Sequence, residues 1–405
     1  MTSPTTRPAP SGLLIANLLA QLAFGLLAMT ICLPSMQEWG AIFGTGQAAV
    51  QLTFSGYVVA YGSLQLLYGP LSDRIGRKKI LLFGLAVAFL GSVLAALAPN
   101  LPLLVAARVL QGAGAAAGMV VGRAMVQDLF QGPERTRVMA YVGMAMGLCP
   151  PLATIIGGQL HVRLGWQANF VVMAVLAVVL FVAAWRGLPD HQKATTVQPH
   201  WLRAMLSSYA RLGRERAFIL YVALLSMTTA TFYAFLGGAP IVLGSYGVKP
   251  DGIGYYIMCV PGAYIVGNFL ASHMAHRTGE RMMMDIGQGC TLGGIALMVA
   301  LALGGVNTPL AFSLPLMLVG IGHGLLVPPA LGGTIGLVPA LAGSAAAVAG
   351  LMQQMTGAVG GFAVGLFRHE GALNLGLLML GFALCGAFAQ WLLHRRPSKA
   401  GEVSR

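Results

Sequence analysis

The sequence predicts an all-α membrane protein with twelve transmembrane helices in two pseudo-symmetric six-helix halves. Only 9% of the 405 residues are charged and 57% are hydrophobic, whereas a soluble domain carries about 25% charged residues. Apolar runs of about 20 residues, the length that crosses a bilayer as a helix, recur along the whole chain. These runs are continuous rather than alternating, which argues against a transmembrane β-barrel.

Twelve apolar spans can be bounded in order along the chain. They are 12–34, 47–69, 79–98, 101–125, 136–160, 166–186, 217–243, 252–273, 282–303, 308–330, 342–366 and 371–393. The connections are short except for one polar, basic stretch between the sixth and seventh spans. The predicted organisation is a tail at 1–11, a six-helix bundle at 12–186, a central loop at 187–216, a second six-helix bundle at 217–393 and a tail at 394–405.

Positive charge is concentrated on one side of this topology. Most of the 24 Lys and Arg residues lie in loops on the same side as both termini, and the loops of the other side hold Arg163, Lys249 and Arg368. Because cytoplasmic loops are enriched in Lys and Arg, we expect both termini in the cytoplasm. The net charge of +13 then reflects topology, and no nucleic-acid partner is expected.

The two halves share short sequence patterns. The stretch GLCPPLATIIGG at 147–158 matches GLMQQMTGAVGG at 350–361 at both glycine ends. At the same offset, SDRIGRK at 72–78 matches AHRTGER at 275–281 in its arginine and glycine. Internal six-helix duplication is typical of secondary transporters, whose substrate site lies between the halves near the middle of the bilayer.

Two spans carry glycine at every fourth residue along one face. These glycines are Gly114, Gly118 and Gly122 in the fourth span and Gly357, Gly361 and Gly365 in the eleventh. Small faces let helix backbones approach closely. They serve either simple tight packing or sliding between moving parts, and the sequence leaves both readings open.

The window YGPLSDRIGRKKIL at 68–81 places several cations and one carboxylate in an otherwise apolar region. Gly69 and Gly76 bracket a tight turn, where side chains would obstruct close packing. Asp73 lies among cations that include Arg74 and Arg77. An anchoring loop would explain the cations, but neither the carboxylate nor the glycine spacing.

The stretch GPLSDRIGRKK resembles the loop signature that joins the second and third helices of the major facilitator superfamily. The resemblance implies the fold of that family and a cytoplasmic latch that clamps the two halves in the outward-facing state through charge pairs. Asp73 and Arg77 are the implied latch residues. The full set of gate residues is Gly69, Asp73, Arg74, Gly76, Arg77 and Asp128, the last at the inner end of the fourth span.

Two further stretches resemble the drug exporters of that superfamily. LLVAARVLQGAGAAAG at 103–118 resembles their span-four motif, with Arg108 as its buried cation. GMAMGLCPPLATIIGG at 143–158 resembles their span-five antiporter motif, in the variant typical of the bicyclomycin-resistance (Bcr/CflA) type of drug:proton antiporters. The motif positions on this helix are Gly147, Pro150, Pro151, Gly157 and Gly158.

Ionisable residues within spans are candidates for proton coupling, because a charge inside a membrane is costly and usually functional. Arg108 either snorkels to the interface or faces the cavity and links proton movement to substrate, as its family position implies. His323 is the one histidine predicted deep in the membrane, and it is either a proton carrier or a hydrogen-bonded structural residue.

Polar residues on the spans that line the cavity in this family are candidates for substrate binding. They could equally bond between helices. They are Gln51, Tyr57, Tyr61, Tyr233, Asn268, Gln353 and Gln354.

The acid that related drug exporters carry in their first span is absent. Met29 and Thr30 stand in its place, and none of the 11 Asp and Glu residues is predicted at mid-membrane. Since a pump for cationic drugs would be expected to offer a buried carboxylate, neutral or anionic substrates are favoured. The five cysteines show no metal or redox spacing and are predicted to be core residues, so no metal or cofactor is expected.

These features favour a proton-coupled exporter of small amphipathic drugs or metabolites that works by alternating access. The missing acid keeps open an uptake permease for a nutrient, metabolite or siderophore. No feature favours a receptor, an enzyme would need clustered polar groups on facing spans, and an ATP-driven pump would need a phosphate-binding loop. The resemblance implies a monomer in the bacterial inner membrane that interacts with substrate, protons and the lipid bilayer.

Overall fold

A computed structural model describes residues 12–190, 201–338, 341–368 and 370–395. Within these ranges the chain forms helices and no strand, so the predicted all-α class is confirmed. The helices are α1 (Gly12–Thr30), α2 (Met36–Phe43), α3 (Gln47–Ile75), α4 (Arg77–Ala96), α5 (Leu101–Leu129), α6 (Gly132–Leu164), α7 (Gln167–Gly187), α8 (Trp201–Leu212), α9 (Arg216–Ser245), α10 (Pro250–Ile257), α11 (Cys259–Leu303), α12 (Pro309–Gly336), α13 (Ala342–Val364) and α14 (Ala372–His394).

These helices form twelve membrane crossings, six in each half. α1 continues through a short 3-10 helix, Leu33–Ser35, into α2, and α10 continues into the first part of α11, so each pair makes one crossing. α11 also contains the next crossing, because it turns back at Gly279, whose φ of 73° and ψ of 156° are not helical. Glycine adopts this positive φ without the steric cost that a Cβ would add.

Ten stretches of the described chain are long and apolar enough to cross a membrane. Among the twelve crossings, α3 and α13 lie outside this set. These two helices pack against each other between the halves, so part of each surface meets protein, while side chains such as Leu67 and Val359 remain exposed. Their lower hydropathy fits a position in which only part of each helix surface needs to be apolar.

Each half is held together by extensive helix packing. In the N-terminal half, α5 packs on α3, α4 and α1, and α4 packs on α7. In the C-terminal half, α9 packs on α13 and α14, while α11 packs along α12. Together these contacts make each half one bundle, as the predicted fold class requires.

The two glycine faces have different partners. In α5, a Cβ on Gly114 would lie 2.3 Å from the backbone nitrogen of Ala88 on α4, and Gly118 is packed as tightly against α1. In α13, a Cβ on Gly361 would lie 2.8 Å from the ring of Phe54, which belongs to the other half. The α5 face therefore serves packing within the N-terminal half. On the α13 face, Gly357 packs on α9 of the same half, whereas Gly361 and Gly365 contact α3 of the other half.

The two ends of the bundle differ in charge. We call the end that holds the turn at Gly76 and the last helical turn before Arg395 the basic end, and the other the opposite end. The stretch between the halves, predicted as a loop, contains α8, whose buried Leu212 packs with Ala345 of α13. Residues 191–200 of that stretch lie outside the described ranges.

The halves meet closely toward the opposite end. Nε2 of Gln51 on α3 donates a hydrogen bond to the carbonyl oxygen of Gly237 on α9 at 2.8 Å. Oγ of Ser55 on α3 donates to the carbonyl oxygen of Ala358 on α13 at 2.9 Å. At the same end, Gly158 of α6 lies so close to the start of α10 that a Cβ would overlap backbone atoms there.

Candidate functional site

Arg108 on α5 is enclosed by the N-terminal half, with 0% of its surface exposed. Nη1 donates to the carbonyl oxygen of Ala28 at 2.7 Å and to Oε1 of Gln111 at 2.5 Å. Nη2 donates to the carbonyl oxygen of Met29 at 3.3 Å, and Nε to that of Thr53 at 3.4 Å. Arg108 therefore does not snorkel to the interface, and in this conformation its guanidinium is fully engaged within its own half.

The break in the first crossing explains why the carbonyl oxygens of Ala28 and Met29 are available to Arg108. α1 ends at Thr30, and the following 3-10 helix contains Pro34, which has no N–H to offer. The last carbonyls of a helix lack intrahelical donors and carry partial negative charge. At position 29, where the sequence comparison expected an acid, this chain supplies the backbone oxygen of Met29. The ring of Tyr57, 4.3 Å from Cζ of Arg108, adds a cation–π attraction.

A short polar network extends from Arg108 into the same half. Nε2 of Gln111 donates to Oγ of Ser92 at 2.8 Å, and the hydroxyl of Tyr57 donates to the carbonyl oxygen of Gly25 at 2.7 Å. Sequence reasoning did not single out Gln111 or Ser92. The available signal was the i, i+3 spacing of Arg108 and Gln111, which places both on one helix face.

His323 lies on α12 within the C-terminal half, with 5% of its surface exposed. Its Nε2 is buried and has no hydrogen-bond partner among the described residues. The neighbouring Gly324 lets α12 approach α11 so closely that a Cβ would lie 2.6 Å from the backbone nitrogen of Asn268. An imidazole nitrogen without a partner can accept a proton, which a fully hydrogen-bonded structural histidine could not do without losing a contact.

Six of the seven candidate substrate residues lie on three helices that pack together, α3, α9 and α13. They are Gln51, Tyr57, Tyr61, Tyr233, Gln353 and Gln354. The rings of Tyr57 and Tyr61 stack with centroids 5.9 Å apart, and the hydroxyl of Tyr233 donates to Oε1 of Gln354 at 2.9 Å. Asn268 is separate, because it lies on α11 and donates to a carbonyl one turn earlier in its own helix.

Two polar atoms of this six-residue group have no hydrogen-bond partner among the residues the structure describes. They are Oε1 of Gln51 and the hydroxyl of Tyr61, and both are buried. Phe54 and Tyr233 add an edge-to-face ring contact across the two halves, with centroids 5.6 Å apart. Aromatic surface with a few unpaired polar atoms is the composition of a small-molecule site.

The gate residues predicted at the basic end come together around Arg77. Its Nη2 lies 2.6 Å from Oδ1 of Asp73, its Nε lies 3.3 Å from Oδ2 of Asp128, and its Nη1 donates to Oγ of Ser72 at 2.6 Å. Every described contact of the Arg77 side chain thus lies within the N-terminal half.

The glycines of the same signature serve the turn itself. Gly76 has a φ of 112° and forms the turn between α3 and α4, while Gly69 faces the side chain of Val120 on α5. Arg74 lies in the last turn of α3 and is exposed. The signature therefore combines a tight helix-to-helix turn with a charge cluster.

The antiporter-motif helix, α6, contacts both halves. A Cβ on Gly157 would overlap the backbone of Ile31 at the break of the first crossing, and one on Gly158 would overlap that of Pro250 on α10. Gly147 faces the side chain of Ile265 on α11.

The proline pair of α6 lies between these glycine contacts. Pro150 and Pro151 remain within the helix, and Oγ1 of Thr154 donates to both of their carbonyl oxygens, at 3.2 and 2.9 Å. The motif therefore marks the helix that joins the first crossing to the C-terminal half.

Metal and redox chemistry receive no support from the described residues. They contain no group of three or more His, Cys, Asp or Glu side chains that could hold a metal ion. The cysteines are free, and the prediction that all are core residues is wrong in part. Cys32 and Cys149 are buried, but Cys385 is exposed on α14, because an outward face toward lipid accepts a small apolar side chain as readily as a core does.

A model of the Major Facilitator Superfamily matches residues 13–362. The chain therefore belongs to this superfamily of membrane transporters, as its loop signature indicated, and it is a transporter rather than an enzyme.

The curated relatives include drug-resistance proteins. The chain is 27% identical over 394 residues to multidrug resistance protein D of Escherichia coli, covering 96% of this chain and 98% of the relative. It is 28% identical to a chloramphenicol resistance protein of Pseudomonas aeruginosa, covering 83% and 80%. It is 25% identical to a bicyclomycin resistance protein homolog of Haemophilus influenzae, covering 94% and 97%.

Solved transporter structures share the fold. A D-xylose-proton symporter superposes with a TM-score of 0.74 at 15% identity, covering 95% of this chain and 98% of the symporter. A peptide transporter superposes with a TM-score of 0.77 at 16% identity, covering 97% and 96%. The twelve-helix architecture of the superfamily is thereby established for this chain.

Proposed function

We propose that the protein is a proton-coupled exporter of small amphipathic compounds, neutral or anionic, that works by alternating access. The observation that supports this most strongly is the environment of Arg108. Its charge is buried among backbone oxygens and one amide, and no acid contacts it within the described residues. An uncompensated positive charge disfavours a cationic substrate nearby and favours an anionic or neutral one.

The substrate binds between the halves, where α3, α9 and α13 meet. The rings of Tyr57, Tyr61 and Tyr233 offer aromatic surface, and Oε1 of Gln51 and the hydroxyl of Tyr61 offer an acceptor and a donor. Relatives named for resistance to chloramphenicol and bicyclomycin fit this chemistry, because both drugs are uncharged and carry several polar groups. The amides of Gln353 and Gln354 complete the polar lining.

Arg108 and His323 have different roles in the proposed proton coupling. A guanidinium keeps its proton at all physiological pH values, so Arg108 acts through its fixed charge and its hold on the first crossing. An imidazole can gain and lose a proton whereas a guanidinium cannot, so His323 is the residue that we assign as the proton carrier.

The basic end is the cytoplasmic side of the bacterial inner membrane, in agreement with the positive-inside rule, and both termini lie there. The halves then meet on the external side, which fits an inward-facing conformer. In this conformer Arg77 keeps its contacts within one half, and the latch engages the other half when the protein faces outward. A single chain with its own site between two halves works as a monomer.

The test is a proton-movement assay on the purified protein in liposomes that contain a pH-sensitive dye. A proton gradient is imposed, and chloramphenicol, an anionic carboxylate drug or the cation ethidium is added. We expect the neutral and anionic compounds to trigger proton movement and ethidium to trigger little. His323→Gln should abolish the signal, whereas the control His273→Gln, an exposed histidine that bonds within its own helix, should retain it.

The uptake permease remains the second candidate, and the carbonyl of Met29 in place of an acid is the observation that favours it. In the same assay, substrate flux without any proton signal would support a facilitative permease and contradict proton-coupled export. A proton signal in His323→Gln equal to that of the wild type would remove His323 from the mechanism.

A further inference from the structure

A histidine–carboxylate pair lies at the opposite end of the bundle and is unused by the transport scheme above. Nε2 of His161, in the last turn of α6, lies 2.9 Å from Oε2 of Glu38 on α2. The His161 side chain is 7% exposed, whereas that of Glu38 is 48% exposed. Nδ1 of His161 is buried without a hydrogen-bond partner among the described residues.

The pair joins the two helices that close this end. On α2, the residue before Glu38 is Gln37, whose Oε1 lies against Gly244 of α9 in the other half. On α6, one turn before His161, Gly158 packs on the backbone at the start of α10, also in the other half. The pair itself lies within the N-terminal half, and it joins two helices whose neighbouring residues contact the C-terminal half.

We propose that His161 and Glu38 form a second proton-binding site, a latch on the external face that stabilises closure of that end when the imidazole is doubly protonated. The neutral imidazole bonds to the carboxylate through Nε2–H alone. A proton taken from external water onto Nδ1 converts this hydrogen bond into an ion pair, which is stronger. This inference rests on the proposed orientation and alternating access, and it does not require that transport be coupled to protons.

Few other charged groups lie on the elements around the pair. Arg163 lies on α6 itself, Lys249 and Asp251 lie at the start of α10, and Arg108 lies on α5, held by its own partners. α1, α3, α7 and α9 bring no Asp, Glu, Lys or Arg to this end in the described chain. Glu38 is therefore the acid in contact with His161 in the described part of the chain.

The sign of the effect follows from the charged form. Closure of the external end is favoured at low external pH, where His161 is an imidazolium, and the extra stabilisation is lost as pH rises and the imidazole becomes neutral. For an exporter, a proton bound from outside would thus favour the return to the inward-facing state after the substrate has left.

The test is a distance measurement between spin labels at Leu164 and Leu303, two exposed residues that end α6 and α11 in different halves. The labels are attached to cysteines in a full-length protein whose five natural cysteines are replaced. Between pH ~5.5 and ~8 we expect the ratio of short to long distances to fall about two- to fivefold, the size of effect that a partly exposed ion pair supports.

Two variants decide the outcome. His161→Gln keeps an N–H donor for Glu38 but cannot be protonated, and Glu38→Gln removes the negative charge, so both should lose the pH response. The control His273→Gln should keep it. A wild-type response in both pair variants, or no response in the wild-type background, would overturn the proposal. Because the sample contains neither substrate nor gradient, this result is independent of the test of proton-coupled transport.

Discussion

At the scale of single residues, the feature that matters most is which groups stabilise the buried charge of Arg108. Arg108 is held by carbonyl oxygens at the broken end of α1 and on α3, together with the amide of Gln111. Carbonyl dipoles stabilise the cation without cancelling its charge, whereas a carboxylate would do both. The positive field that remains is the feature we connect with substrate charge.

Gln111→Glu tests this connection. The change places a carboxylate where Oε1 of Gln111 now accepts from Nη1 of Arg108 at 2.5 Å, so it keeps the contact and neutralises the charge. We expect transport of anionic substrates to fall on the order of fivefold, since one unit charge at about 10 Å contributes on the order of 1 kcal/mol at an effective dielectric constant of ~20. Initial rates in liposomes for an anionic and a neutral compound measure the effect.

The matched control is Ser92→Ala, which removes the hydrogen bond that Gln111 makes at 2.8 Å and leaves every charge in place. It should affect the anionic and the neutral compound equally, because it changes no charge and removes one neutral hydrogen bond, which contributes ~1 kcal/mol. Equal losses for anionic and neutral substrates in Gln111→Glu would indicate a general packing defect and contradict the electrostatic reading.

At the scale of helices, the contact between α3 and α13 is the place where a substitution should affect transport more than stability. α13 presents glycines to α3 in the other half, and at its end a Cβ on Gly365 would lie 2.5 Å from Cα of Ala48. Backbone atoms cannot rotate aside as a side-chain tip can. The residue at position 365 must therefore have no side chain if the external end is to close this tightly.

Gly365→Ala should slow transport while leaving folding nearly intact. The added methyl group opposes closure of the external end, and we expect the turnover rate to fall about tenfold. The cost in stability should stay near ~1 kcal/mol, the low end of the range for overpacking, because this boundary can open. Substrate efflux and thermal unfolding are measured on the same preparation. Gly350→Ala, on the same helix with nothing within 4 Å of its added Cβ, is the control and should behave as the wild type.

A Gly365→Ala protein that transports at the wild-type rate would show that this contact is not part of the cycle. Loss of folding in Gly365→Ala but not in Gly350→Ala would instead place the contact among permanent packing contacts, like that of Gly114 with α4.

At the scale of the whole molecule, the sequence predicts the twelve crossings well, because each must bury about 20 residues of backbone in lipid and so leaves an apolar run. Asp73 and Arg77 lie four residues apart on either side of Gly76 and form a pair, whereas their role as a gate stays a prediction. The sequence does not predict the main-chain partners of Arg108. Every residue has a carbonyl oxygen, so the residue types do not show which carbonyls a helix break leaves free.

Other features are hidden for reasons of distance and geometry. His161 and Glu38 lie 123 residues apart, and nothing local relates them. Which glycine face crosses between the halves depends on tertiary packing, since both faces have the same spacing.

The central claim is that an inward proton gradient drives substrate out of the cell. The most direct measurement is accumulation of chloramphenicol in inverted membrane vesicles whose lumen is made acidic, so that the lumen represents the cell exterior. The account predicts accumulation above the concentration in the medium, and its loss when a protonophore collapses the gradient. Accumulation that is unchanged by the protonophore, or that occurs only in right-side-out vesicles, would contradict proton-driven export.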